Sequence, residues 1–142
     1  MGQSRPRTVL VRCTDIEGRA QSVTIDSGGR DDLVWAKRGG TGLSVGFTPR
    51  RALQLASAVA LHAQWLLGGR GSERQPLRWS IDCTSHDAVP QLMHIESSDT
   101  HVLVLRDGPG GITLAFDVRG AAHVAEAFIT HARWVLPRWV AR

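Results

Sequence analysis

His94, Glu96 and His101 fall within eight residues of one another. Two imidazoles and a carboxylate can ligate a metal ion or transfer a proton, and a hairpin turning near Ser97-Ser98-Asp99 would bring their strands together. On those residues rests one remote reading, a small metal-dependent enzyme using His94 and His101. The trio has no counterpart in the first half of the chain, and His86-Asp87 is equally isolated. His62-x-x-Trp65 and His131-x-x-Trp134 put each His and Trp on one helical face, while Cys13 and Cys83 occupy matching positions 70 residues apart. A His2Cys2 zinc site has characteristic local ligand spacings, and none is present. The histidines therefore read as packing and hydrogen-bonding groups at the end of a helix interface. The cysteines read as small buried apolar side chains in a reducing compartment. No Ser-His-Asp order or nucleophile elbow occurs, and Gly39-Gly40-Thr41-Gly42 lacks the lysine and the strand-to-helix placement of a phosphate loop. The expectation is a non-enzymatic chain with no catalytic residue, metal or cofactor.

Arginine supplies 16 of the 17 basic side chains, the net charge is +4 and the isoelectric point is about 10.4. The planar guanidinium fork suits phosphate, so such a surface favours nucleic acid or an acidic partner. A GC-rich genome also writes chains rich in Arg and Ala and poor in Lys, and the charge alone leaves both origins open. Arg50-Arg51 and Arg119 stand at the starts of expected helices. There the macrodipole makes a cation unfavourable by about 0.3–1 kcal/mol unless an anion is nearby.

The elements that must position these side chains come twice. Gly42 to Leu67 and Gly111 to Leu136 align without a gap at an offset of 69 and match at 10 of 26 positions, against about two or three from ordinary residue usage. Apolar alternation predicts strands at Thr8–Thr14, Ser22–Asp26, Asp32–Lys37 and Leu43–Phe47, then at Leu77–Cys83, Pro90–Glu96, Thr100–Arg106 and Ile112–Phe116. Turns are expected at Gly18, Ser27–Arg30, Arg38–Thr41 and Gly108–Gly111. One helix is expected from the Thr48-Pro49 cap to Leu67, stopped by Gly68-Gly69, and another from the Asp117 cap to Leu136, ended by Pro137. The prediction is a single α+β domain over residues 1–142: repeat 1 at 7–69, a linker at 70–76, repeat 2 at 77–137 and a basic tail at 138–142. Each repeat is a ββββα unit, its antiparallel sheet covered by one helix, and the pair is related by a pseudo-twofold axis. No signal-peptide pattern and no apolar run near the ~20 residues of a membrane span appear, so a soluble, cytoplasmic chain without a membrane partner is expected.

Two tandem ββββα units of this length resemble the PUR repeat pair, and each unit is similar to the Whirly fold. Both belong to a superfamily that binds single-stranded nucleic acid, and the resemblance implies that the outer sheet face receives the strand through basic and aromatic residues. With Leu43, Val45, Phe47 and Ile112, Leu114, Phe116 under the helices, the opposite face is smooth, polar and moderately basic. Arg12, Lys37, Arg38, Arg50, Arg78, Arg106 and Arg119 are then the candidate contacts to single-stranded DNA or RNA, with Trp35 as the stacking residue. The chain departs from a well-equipped stacking surface: it has no tyrosine, and Phe47, Phe116 and Trp79 fall on inward positions. The competing reading is a protein-interaction module, in which the same face or an exposed edge forms a homodimer or receives another protein.

Overall fold

The alternating segments become eight strands in the computed structural model, which describes residues 4–28, 31–39, 44–68, 74–106 and 111–141. They are β1 (Val9–Asp15), β2 (Ala20–Gly28), β3 (Leu33–Arg38), β4 (Ser44–Phe47), β5 (Trp79–Ser85), β6 (Pro90–Ser97), β7 (Val102–Arg106) and β8 (Ile112–Phe116). Helix α1 (Pro49–Leu67) follows β4 and helix α2 (Val118–Val140) follows β8. The expected turn residues Gly29-Arg30, Gly40-Thr41 and Gly108–Gly110, with Leu43 and linker residues 70–73, lie outside the described residues.

Each strand pairs antiparallel with its neighbours in sequence, and β8 returns to β1, closing one barrel. The expectation of separate sheets, each covered by its own helix, is corrected by this closure. A four-stranded meander has two edges of unpaired backbone N–H and C=O groups, which are templates for further pairing. Here the edges of the two meanders satisfy each other, through Val45↔Ser85 and Gly46↔Thr84 on one side and Thr14↔Ala115 and Asp15↔Leu114 on the other. These seams are two pairs long, whereas β1–β2 and β5–β6 are each paired over six. The short seams leave room for the helices to begin beside them. Gly120 in the first turn of α2 lies against the Arg12 carbonyl of β1, and Arg51 in the first turn of α1 pairs with Asp82 of β5 at 3.5 Å. Each helix thus crosses to the strands of the other half, which alternation within one half cannot reveal.

The two first hairpins are built alike. Asp15 N–H bonds the Arg19 carbonyl and Gly18 N–H the Asp15 carbonyl, while Ser85 N–H bonds Val89 and Ala88 N–H bonds Ser85. The residue that turns the chain has positive φ in both, +81° at Gly18 and +63° at Ala88. Two strands, β5 and β7, start two residues later than expected because backbone groups there are taken elsewhere, whereas β2 starts two residues earlier, at Ala20. The Leu77 carbonyl accepts from His62, and the Ser98 N–H donates to the His101 carbonyl at 2.9 Å.

Thr48 and Asp117 cap the helices as expected, accepting from the Arg51 and Gly120 N–H groups. The expected stop at Pro137 is corrected, because α2 runs through it to Val140. Proline removes one N–H, but the turn around it is held by Arg138 stacked 3.9 Å from the Trp134 ring and by the Ala141 N–H on the Pro137 carbonyl. Most of the expected basic tail is therefore helix. The helices run antiparallel, with Ala60, Ala63 and Leu67 beside Val118, Ala122 and Ala125. They close one end of the barrel, where Phe128 of α2 meets Phe47 edge-on with ring centroids 5.4 Å apart. The core combines Val11, Ile25, Val34, Ile81, Ile95 and Val102 from the strands with Leu55, Val59, Val124 and Phe128 from the helices. Among the described residues no helix is long and apolar enough to cross a membrane.

Candidate binding chamber inside the barrel

Period-2 alternation sends every second strand residue inward, and the inward residues change character along the barrel axis. On β2 they run Ser27, Ile25, Val23, Gln21, and on β6 Ser97, Ile95, Met93, Gln91. On β3 and β7 they run Val34, Ala36, Arg38 and Val102, Val104, Arg106. Hydroxyls therefore mark the helix end, apolar groups the middle, and amides with guanidiniums the opposite mouth.

A cavity of about 120 Å3 occupies the middle. Phe47, Phe116, Leu55, Val124 and Phe128 form its floor, and Val23, Val45, Met93, Val104, Ile112 and Leu114 its walls. Arg38, Arg106, Ser44 and Ser85 reach its rim. Arg38 Nε donates to Gln21 Oε1 at 3.0 Å, and Arg106 Nη1 to Gln91 Oε1 at 2.9 Å. Gln21 Nε2 in turn donates to Asp15 Oδ2 at 3.3 Å. The Arg19 N–H, then the Glu17 N–H and the Gln21 amide, hold the Asp15 carboxyl below its ordinary range despite some desolvation, so a carboxylate stands beside the mouth, in a surface cleft it shares with Glu17 and Arg106. Burial pushes the Cys13 and Cys83 thiols up to about 11 against the opposing pull of Arg38 and Arg106. At neutral pH both are protonated side chains of the strand core rather than nucleophiles.

At the helix end His62 and His131 are 0% exposed. His62 Nε2 lies 3.1 Å from the Leu77 carbonyl and Nδ1 2.8 Å from Ser97 Oγ; His131 Nε2 lies 3.0 Å from the Arg7 carbonyl and Nδ1 2.5 Å from Ser27 Oγ. A carbonyl only accepts, so Nε2 carries the proton in each ring and Nδ1 accepts from the serine hydroxyl. Burial lowers both imidazoles from their ordinary 6.5. The Leu77 carbonyl and Glu96 oppose this at His62, and the Arg7 carbonyl and Asp26 oppose it at His131, where Arg5 reinforces it. Each ring pins the segment leading into a first strand, residues 4–8 or 74–78, to the far helix. Arg5 adds a two-oxygen bond to Asp26 at 2.7 and 2.8 Å.

The eight residues expected to bind nucleic acid divide among four surroundings. Arg38 and Arg106 come together at the chamber mouth, turned inward rather than onto the outer face. Arg12 and Lys37 are exposed on the outer face of β1–β3. Trp35, half-buried there, lies across Gly46, where an added Cβ would stand 3.0 Å from its ring. Arg78 lies 3.8 Å from Glu96, and Arg50 and Arg119 sit on separate helix starts. The His94, Glu96 and His101 trio does not converge. His94 faces Ser80, whose hydroxyl is 2.8 Å from Nδ1, and lies opposite Leu105, while His101 bonds the adjacent Thr100 hydroxyl in the turn. Trp79 stands at an inward position yet is 44% exposed, because β5 only begins there. Gln21 and Gln91, which orient the two rim arginines, were missed. Their signal was present, a glutamine at equivalent places in both halves two residues before an inward apolar residue. No protein family matches this chain, and neither curated proteins nor solved structures provide a match.

Proposed function

We propose that this chain is a non-catalytic binding protein that holds a small molecule in the barrel chamber, with Arg38 and Arg106 at the entrance. The observation that carries this reading is the apolar void of about 120 Å3, close in size to an engineered cavity of ~150 Å3 that takes up benzene. Native interiors keep few voids larger than a water molecule. Two free thiols suit a cytoplasmic setting. The test is titration with toluene, followed by two-dimensional NMR and thermal melting. Shifts confined to chamber residues such as Met93 and Val104, with a raised Tm, are expected. Their absence at saturating toluene would remove the reading.

A second reading concerns the outer face of β1–β3, where exposed Lys37 follows Trp35 on β3 and exposed Arg12 lies further along the same face, opposite Ser22 on β1–β2. Cations beside an aromatic ring suit single-stranded DNA or RNA. Anisotropy of labelled single strands, with Arg12→Glu/Lys37→Glu as the control, decides it. Salt-sensitive binding lost in the variant supports nucleic acid, whereas salt-insensitive association of the chain with itself or another protein favours a protein interface.

A further inference from the structure

We infer that the chamber is a site for a small amphipathic monocarboxylate, its carboxylate held at the mouth by Arg38 and Arg106 and its apolar body, about the size of one aromatic ring, lodged against Phe47, Phe116 and Phe128. The inference rests on the reading of the chamber as a binding site and adds the chemistry of what enters it.

Three observations converge. Among the described residues that line the chamber, none below the rim is charged, so the buried part of a ligand must be apolar, and a cavity of about 120 Å3 admits roughly a benzene-sized body. Above it stand two guanidiniums, each oriented by a neutral amide oxygen, at 3.0 Å from Gln21 and 2.9 Å from Gln91. For Arg38 the bond uses Nε, leaving both terminal NH2 groups to face a ligand; paired donors of this kind match a carboxylate's two oxygens. Ser85, at an inward position of β5, adds a neutral hydroxyl at the same rim. The Asp15 carboxylate stands close to both cations, tied through Gln21 at 3.3 Å to the Arg38 network and lining a cleft with Arg106. Its charge disfavours a dianion such as a phosphate monoester and leaves a monoanion acceptable. The chamber's aromatic floor favours an aryl or compact branched body over a long flexible chain, which would exceed the void. Both halves supply the same pair, glutamine on the second strand and arginine on the third, to one mouth.

The test compares benzoate and 3-phenylpropionate with toluene, benzyl alcohol and phenyl phosphate, by NMR titration up to ~10 mM, on the wild type and on Arg38→Gln, Arg38→Lys and Arg106→Gln. The carboxylates are expected to bind about 10- to 100-fold tighter than their neutral counterparts, the usual gain from charge-assisted hydrogen bonds. Arg38→Gln should remove most of that gain without changing toluene binding, and Arg38→Lys should fall between. Val104→Phe, which fills the void, should abolish all binding while the folded spectrum persists. Toluene binding equal to benzoate, unaffected by either Gln variant, would overturn the carboxylate inference and leave the chamber reading standing. Phenyl phosphate binding tighter than benzoate would also overturn it. Failure of every compound, toluene included, would remove the chamber reading itself.

Discussion

Replacing His131 by alanine tests the link between the N-terminal arm and α2. The imidazole is 0% exposed and bonds both Ser27 Oγ, itself 2% exposed, and the Arg7 carbonyl. Truncation leaves the Ser27 hydroxyl buried without its partner, a cost of about 1–3 kcal/mol. The exposed Arg7 carbonyl can turn to water, so it adds little. Lost packing around the missing ring contributes about 1–2 kcal/mol more, for a total near 3 kcal/mol and a Tm drop of about 10 °C in a chain of this size. The effect depends on pH in a known direction. Burial lowers the folded imidazole below 6.5, so the unfolded chain binds more protons as pH falls through that value. The contribution of the neutral ring is full above about pH 7.5, begins to fall below 6.5 and is lost as pH passes the lowered folded value. Urea unfolding of wild type and His131→Ala at pH 7.5 and pH 5.5, above the ordinary carboxylate range, should show the gap between them narrowing at the lower pH. His62→Ala should behave likewise through Ser97 and Leu77. A loss below about 1 kcal/mol at pH 7.5, or a gap that stays constant between the two pH values, would refute the assignment of these rings as buried neutral clasps.

Alkylation of Cys13 and Cys83 at pH 8 should be about 100-fold slower in the folded than in the unfolded protein, because a rise from 9.0 to about 11 depletes thiolate by two decades; equal rates would contradict the raised thiols. Gly46→Ala should displace Trp35, whose ring stands 3.0 Å from the added carbon, with a loss of about 1 kcal/mol. The Trp35 indole N–H resonance reports it, and an unmoved resonance would mean the ring does not lie across Gly46. Ala88, at φ +63°, should gain about 1 kcal/mol when replaced by glycine, and Gly18→Ala should lose a similar amount. Chemical denaturation measures both, and opposite signs would refute the shared turn geometry.

Much of the local structure was legible in the residues. Alternation at Val9, Val11, Cys13 and Val23, Ile25 located strands, and Thr48-Pro49 and Asp117 located helix starts, because a period or a cap is a property of a few adjacent residues. Proline at 137 misled for the same reason. The local rule sees a missing N–H and cannot see Arg138 lying on the Trp134 ring across it. The candidate site was legible only as parts. Arg38 and Arg106 were singled out by charge and assigned to an outer face, although their place on β3 and β7, two and four residues beyond Ala36–Val34 and Val104–Val102, carried the inward parity.

The chain by itself determined the order of strands and helices, that the His-x-x-Trp segments recur, and that no familiar catalytic motif is present. Those follow from spacings within a dozen residues, or from a match at one fixed offset along the chain. Only the tertiary structure decided that two meanders share their edges in one barrel, that each helix clasps the opposite half through His62–Ser97 and His131–Ser27, and that two arginines 68 residues apart stand over one apolar void. The physical reason is that edge pairing and helix crossing satisfy backbone and apolar groups equally well within a half or between halves as far as local sequence can express, and the choice is made by the simultaneous packing of all ten elements.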